Sequence, residues 1–465
     1  MNPELNHEQK SVVEAPLKPL IVSAGAGSGK TRTLVCRVAH LIKQGIAPNK
    51  IILLTFTNKA ARHMLARVED LCGPEARGVM GGTFHAVALT HLRQQNPELK
   101  LISRDDSKKI LFRLLRNPRL PSVDIAFDKI SYAENTLTRL PEELEALRNA
   151  FQTQKRESGV VDFDDLLTQF RSLLQTQPIH PEAVLVDEYQ DTNRLQGQII
   201  ENLSGQHQNL MVVGDDSQSI YAFRGADTGN MLAFKKRYPD ALHLSLSTNY
   251  RSTPEIIKLA NSALKRFPFA LQRNLLSVRE EGPRPVLVAC ATALQQAQFV
   301  AQRISELAAS GVSLGEIAVL YRAHKHALEI KEALNKQKIA FQELMPSRDW
   351  SLEGQEISRS QDCVTLSSIH QAKGLEWAHV FVIWLVEGHF PSFMSYKEPN
   401  GLEEERRLFY VALTRAKDSL TFCYPQERSL RRSRFIEENS GLCETWTLEQ
   451  PSRPKPVRRR RTRRI

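Results

Sequence analysis

Two stretches carry the residue types that phosphate chemistry requires. Ala24-Gly25-Ala26-Gly27-Ser28-Gly29-Lys30-Thr31 follows the apolar run Leu20–Ser23 and opens a helical stretch. Glycines at this density let backbone N–H groups turn inward around phosphate oxygens, and the start of the following helix adds partial positive charge. Lys30 would reach the β- and γ-phosphates, and the Thr31 hydroxyl would ligand Mg²⁺. Ala24 stands where the pattern often has glycine, which a small residue tolerates. The second stretch is Asp187-Glu188, at the end of the apolar run Ala183–Val186. Open α/β sheets bind ligands beyond the C-terminal ends of their strands. Asp187 would there hold Mg²⁺, often through water, and Glu188 would polarise the attacking water as general base. Alone, each stretch also reads as an ordinary turn or a solvated strand end; together they point to a nucleoside triphosphate.

The elements that must position these residues alternate along the chain. Further buried-strand candidates are Ile51–Phe56, Leu210–Val213, Leu242–Leu246, Arg284–Ala289, Ile317–Tyr321, Val364–Ile369 and Val380–Leu385. Continuous apolar strands separated by helices argue for parallel sheets covered on both faces, an α/β fold. Arg104–Gln177 is helical in pattern throughout and reads as an insertion between strands of the first sheet. The chain is 41% hydrophobic and 25% charged, as globular domains are. The longest apolar run, His379–Val386, is too short to span a membrane, and Met1–Lys10 lacks the order of a signal peptide. Cysteines 36, 72, 290, 363, 423 and 443 form no CxxC pair. That argues against a zinc site or a disulfide framework and fits a reducing cytoplasm.

From about Leu5 to Tyr424, in motif order, the chain resembles the UvrD/Rep/PcrA family of superfamily 1 DNA helicases. The resemblance implies two RecA-like P-loop lobes with ATP between them. Gln9 resembles the residue that reads the adenine edge, with Arg32 and Tyr250 stacking on the base and Glu376 and Gly374 at the ribose. Gln218 would contact the γ-phosphate or its water and couple hydrolysis to motion. Arg251 and Arg415 resemble arginine fingers; without the family match, Arg415 would read as a helix-surface residue. The single-stranded DNA path would include Phe56, Thr57, Asn58, Thr83 and His85 from the first lobe, and Tyr221 and Phe223 as base-stacking aromatics. Ser367, Ser368 and His370 would contribute from the second. Translocation in the family runs 3′ to 5′, on single-stranded DNA and tailed duplexes. A monomer in the cytoplasm, associated with the nucleoid and open to a protein partner, is the expected setting.

The implied boundaries are 1–88 and 181–253 for the first lobe, 89–180 for the helical insertion and 254–427 for the second lobe. Residues 428–465 form a C-terminal extension. Too few residues separate the Arg251 and Thr365 motifs for the family's large second accessory domain; a linker, 346–361, stands in its place. Strong autonomous unwinding is therefore in doubt, and an ATPase that remodels protein–DNA complexes or serves a partner enzyme is the alternative. A P-loop kinase would explain Lys30 and Asp187 but not Gln218, Arg251 and Arg415 together. The acidic run Val161–Leu167 matches a family helix segment and equally suits a helix N-terminus.

The net charge is +11, of which Lys455 and the seven arginines of residues 451–465 supply +8. Such a tail suits a polyanion, or is a solvated end that binds nothing specific. If it grips DNA, deleting 451–465 should weaken binding and flatten the dependence of affinity on salt. Unchanged salt slopes in a binding titration would discard that role.

Overall fold

The computed structural model describes residues 4–115, 120–205, 209–226, 229–267, 274–345, 362–427 and 430–448. The basic tail and the linker 346–361 lie outside them. In the first lobe the strands are β1 (Leu20–Ala24), β2 (Ile51–Thr55), β3 (Met80–Thr83), β4 (Ala183–Val186), β5 (Leu210–Gly214) and β6 (Leu242–Leu246). They pair in the order β3-β2-β4-β5-β1-β6, every pair parallel. Period-two alternation divides β2 between two cores. Ile51 and Leu53 face α1 (His7–Val13), α2 (Lys30–Lys43) and α3 (Asn58–Cys72), whereas Ile52 and Leu54 face the opposite layer. Because β4, β5 and β1 are neighbours, the loops leaving their C-terminal ends converge. The two phosphate-chemistry stretches are thus brought together by strand order.

The second lobe contains β7 (Val286–Cys290), β8 (Ile317–Tyr321), β9 (Phe341–Glu343), β10 (Val364–Ser368), β11 (Trp377–Val382), β12 (Ala416–Pro425) and β13 (Glu444–Thr447). Their order is β9-β10-β8-β11-β12-β7-β13, again all parallel. The α/β class with two parallel-sheet lobes is as expected.

Three expectations are corrected. The strand expected at Val380–Leu385 starts earlier and ends at Val382, because Trp384 turns the chain at φ 62°. The block from Arg104 to Gln177 is not wholly helical: Lys100–Leu101 pairs with Val160–Val161. Nor does it pack as one unit. Helices α4 (Phe84–Gln95) and α8 (Phe163–Thr176) place Leu92, Leu166 and Phe170 in the first-lobe core. Only α5 (Arg104–Leu114), α6 (Val123–Thr136) and α7 (Glu142–Glu157) build a core of their own, around Leu111, Phe127, Ile130 and Phe151.

The acidic run turns out to be a helix start and an electrostatic tie. Asp162 caps α8 in a reciprocal capping box with Asp165. Both carboxylates receive the buried Lys155 ammonium, at 2.5 and 2.8 Å. The segment after residue 430 also belongs to the second lobe: Phe435 and Ile436 are in its core, and β13 extends its sheet.

A buried histidine gives the second lobe a pH dependence. His326 is 4% exposed, lies against Trp384 and His389 with ring centroids 5.4 and 5.0 Å away, and has no hydrogen-bond partner on either ring nitrogen. Burial, with His389, Lys325 and Arg322 adding to it, pushes its pKa down to about 3. Between roughly pH 6.5 and that value only the unfolded chain takes the proton, so stability falls as pH falls. By pH 5 the loss should reach about 2 kcal/mol, at about 1.4 kcal/mol per pH unit. Urea unfolding at pH 7 and 5 should show His326→Leu losing less across the interval by that amount. Equal losses in the two proteins would contradict the assignment.

Candidate functional site

The phosphate loop is held open by its glycines and closed from behind by a neighbouring turn. Gly27 and Gly29 take positive φ, 66° and 81°, and a Cβ at Gly27 would come within 2.7 Å of Asn249 and Arg251. Asn249, fully buried, donates to the Ala26 carbonyl at 2.7 Å and accepts from the Arg251 and Ser252 N–H groups at 3.0 and 2.8 Å. The Tyr250 N–H donates to the Gly27 carbonyl at 2.9 Å. Gly25 leaves β1, Ser28 closes onto the Gly25 carbonyl at 2.8 Å, and Lys30 and Thr31 begin α2.

Lys30 Nζ lies 3.5 Å from Glu188. Burial alone would raise the Glu188 carboxyl; Lys30 and then Lys373 hold it down to about 2. Asp187 behaves oppositely, pushed up to about 7 by burial and then by the Glu188 charge. Its Oδ1 accepts the Glu188 N–H at 3.0 Å. A buried acid whose charge is only partly compensated, here by Lys30 and the Glu188 N–H, is the type of group that suits a divalent cation.

The second lobe closes the cleft. Arg415, 2% exposed, donates to Gln218 Oε1 at 3.0 Å and to the Val411 and Leu375 carbonyls at 3.0 and 3.1 Å. Burial and then Arg251 push its pKa down to about 9. Gln218 in turn donates to Asp215 at 2.5 Å. Arg251 pairs with Glu376 through Nε at 2.5 Å and donates to the Thr414 carbonyl at 2.9 Å. Arg251 and Arg415, expected at the γ-phosphate, thus sit with Lys30, Glu188 and Gln218 around one cleft. Glu376, expected at the ribose, is engaged by Arg251, with Lys417 3.5 Å away. Gly374 takes φ 82° in the turn after β10.

On the adenine side, Gln9 is 1% exposed and donates to the Ser28 carbonyl at 3.1 Å while its Oε1 accepts the Asn6 N–H at 3.2 Å. Tyr250 is 42% exposed and accepts from Asn6 at 2.7 Å; Arg32 donates to the Glu4 carbonyl.

The expected DNA residues fall on one side of both sheets. Phe56 stacks on Tyr221, centroids 5.4 Å apart and planes 14° apart. Tyr221 is 6.1 Å from Phe223, whose ring meets His370 edge-on at 5.7 Å. Thr57 and Thr83 cap α3 and α4 through their hydroxyls, and Thr83 also donates weakly to Asn58 at 3.4 Å. His85 packs edge-on to Phe163, and burial lowers its pKa to about 4, so the ring is neutral. Phe56, Thr83, His85, Phe163, Tyr132 and Phe223 help line a cavity of about 280 Å³ against α6. Ser367 is a correction: it is fully buried in β10 with its hydroxyl on the Ser368 carbonyl at 2.8 Å, so it cannot touch a strand on the surface.

Four residues that sequence reasoning missed, each within two positions of an expected site residue, hold the site together. Asn249 fastens the phosphate loop to Arg251, and Glu8 accepts from the Ser247 and Thr248 N–H groups to fix α1. Gln190, fully buried, donates to Glu188 at 2.5 Å and accepts the Asp215 N–H at 2.9 Å, joining two loops. Lys373 crosses from the second lobe to Asp191 at 2.5 Å and to the Gln218 carbonyl at 2.7 Å. Their one signal was polarity inside a motif, which does not say whom a side chain meets.

Comparison with known proteins agrees with this geometry. The family model described as the UvrD/REP helicase N-terminal domain matches residues 5–239, and that of the UvrD-like helicase C-terminal domain matches 244–348 and 342–427. The chain is 36% identical over 363 residues to ATP-dependent DNA helicase PcrA of Bacillus subtilis, covering 71% of this chain and 49% of that protein. It is 33% identical over 367 residues to PcrA of Staphylococcus epidermidis, 72% of this chain and 50% of that one. Against DNA helicase II of Haemophilus influenzae it is 28% identical over 635 residues, 94% of this chain and 87% of that protein. The chain spans about half the length of the PcrA relatives it matches. With both family models matched in order across its two parallel-sheet lobes, which are therefore RecA-like, the chain belongs to the UvrD/REP helicase family.

Proposed function

We propose that the chain is a motor that hydrolyses ATP between its two lobes and moves 3′ to 5′ along single-stranded DNA. The observation that carries this reading is the convergence of Arg251 and Arg415 on the cleft holding Lys30, Glu188 and Gln218. Lys30 and the loop N–H groups would hold the β- and γ-phosphates, and Thr31 and Asp187 would hold Mg²⁺, which neutralises charge between the phosphates. Glu188, kept ionised by Lys30, takes the proton of the attacking water. Arg251 and Arg415 neutralise charge growing on the γ-phosphoryl oxygens, a role worth about 10³–10⁵ in rate for such a residue. Gln218, hydrogen-bonded to Arg415, carries the state of the γ-phosphate to the loop bearing Tyr221 and Phe223. Both arginines belong to the same chain as Lys30, so a monomer completes the site. The proposed 3′ to 5′ direction, preference for DNA over RNA and cytoplasmic, nucleoid-associated setting rest on the resemblance to the family alone.

The stacked Phe56–Tyr221 pair, Phe223 and His370 would form the platform for bases, each stacked base worth about 1–3 kcal/mol. A second reading has its own support. Only residues 344–363 join β9 to β10, and the C-terminal family model matches in two pieces that meet at 342–348. In the Haemophilus influenzae alignment, about 200 positions have no counterpart in this chain. A motor lacking so much would translocate and strip bound proteins, or serve a partner, more readily than it separates strands.

Lys30→Ala should cut ATP turnover about 10²–10³-fold with the melting temperature held. Glu188→Gln should bind ATP normally yet turn it over at least about 10²-fold more slowly. Retained turnover in either variant removes that residue from its role. In the unaltered chain, single-stranded DNA should raise turnover many-fold; indifference to DNA would end the motor reading. Displacement assays on 3′- and 5′-tailed DNA and RNA duplexes then separate the readings. Efficient opening of 3′-tailed DNA favours the helicase, and stimulated turnover without opening favours the remodeller.

A further inference from the structure

We propose that Lys373 is the positioning residue through which a strand on the aromatic platform is sensed at the hydrolytic carboxylate; this rests on the motor reading above. Lys373 lies in the turn that follows β10, and its side chain, only 7% exposed, enters the first lobe. There it meets three groups of different function. It donates to Asp191 Oδ2 at 2.5 Å and to the Gln218 carbonyl at 2.7 Å, and its ammonium lies 4.9 Å from the centre of the Tyr221 ring.

Each contact opens onto a different part of the machinery. Asp191 shares the Gln190 amide with Glu188: Gln190 Nε2 donates to Glu188 at 2.5 Å and to Asp191 at 3.2 Å. The Gln218 side chain holds Arg415 and Asp215. Tyr221 stacks on Phe56. A continuous run of contacts therefore leads from the base platform, through one ammonium, to the acid beside Lys30. A base entering between Phe56 and Tyr221, or pressing on that pair, must shift the ring against the ammonium. The ammonium cannot move without changing what faces Asp191, which is 4% exposed, and uncompensated buried charge is costly. Opening the lobes has the same effect from the other side, because Lys373 leaves with the second lobe. Burial raises Asp191 to about 6 even with Lys373 opposing it, which fits an acid dependent on that cation.

A lysine that merely clamps the lobes would affect stability and leave the response to DNA intact, which gives the test. ATP turnover of the full chain is measured with and without a thymidine oligonucleotide for the unaltered protein, Lys373→Met, Lys373→Arg and Asp191→Asn, with melting temperatures alongside. Lys373→Met should keep its KM for ATP within about twofold while the DNA-stimulated kcat falls about 10- to 100-fold, the scale of a lost charge-assisted contact. Lys373→Arg should recover part of the stimulation, and Lys373→Met with Asp191→Asn should be no worse than Lys373→Met alone. If Lys373→Met does not fold, the Arg and Asn variants carry the test by their loss of stimulation. A stimulation ratio in Lys373→Met equal to that of the unaltered chain overturns the proposal. So does an equal loss with and without DNA. If the unaltered chain itself ignores DNA, it is the motor reading that falls.

Discussion

Burying a charge costs several kcal/mol unless an opposite charge or a full set of hydrogen bonds meets it, and the cleft between the lobes holds four cations with little exposure. Lys30 is at 13%, Arg251 at 15%, Lys373 at 7% and Arg415 at 2%. Three find carboxylates: Lys30 with Glu188, Arg251 with Glu376, Lys373 with Asp191. Arg415 finds none and is held by carbonyl oxygens and the Gln218 amide. Arg415 among the cations and Asp187 among the acids are thus left without a paired opposite charge. A polyanionic ligand would find there a cation whose charged form burial has made expensive, and its arrival would relieve that cost. The same balance ties the lobes together, since Arg251 and Lys373 each join elements of both.

Strand order explains why this balance can be built at all. The loops leaving neighbouring parallel strands emerge side by side, so Lys30 after β1, Glu188 after β4 and Gln218 after β5 meet without any residue reaching far. In the second lobe, Glu376 and Arg415 sit at the starts of the neighbouring strands β11 and β12, and Lys373 lies in the turn that leads from β10 to β11. The C-terminal ends of the first sheet meet the starts of β11 and β12, making a cleft in which small rotations separate or join opposite charges. Such a site converts a change in ligand charge into a change in lobe position.

Much of this was legible because parallel strands buried on both faces are written as continuous apolar runs. Ala183–Val186, Leu242–Leu246 and Ile317–Tyr321 were read to the residue. The strands missed broke that rule. Met80–Thr83 contains two glycines, one required because a Cβ at Gly81 would lie 2.6 Å from Leu65. The strand Ala416–Pro425 begins with Lys417, Asp418 and Ser419, and Glu444–Thr447 is an exposed edge. At the site, residue types in motif spacing marked Lys30, Asp187 and Glu188, and the family resemblance marked Arg251. The partners of Glu376 and Lys373 were not legible, because a pairing across 125 or 182 positions depends on how two lobes meet. Ser367 lies in a strand buried along its whole length, so its polarity did not mark an exposed position.

The short connection between β9 and β10 shifts the mechanical load elsewhere. Twenty residues, 344–363, cannot bury a core of their own. On the proposed motor reading, a grip on duplex would then fall to the lobes, the helical insertion or the basic tail. Helices α5, α6 and α7 share a small core of their own, and α5 and α6 border the cavity beside Phe56 and Phe223. They are tied to α8 by Lys155 with Asp162 and Asp165, so they are anchored to the first lobe rather than hinged upon it. A rigidly anchored insertion can guide a strand onto the aromatic platform. On the proposed motor reading, force on DNA would then arise from closure of the two lobes.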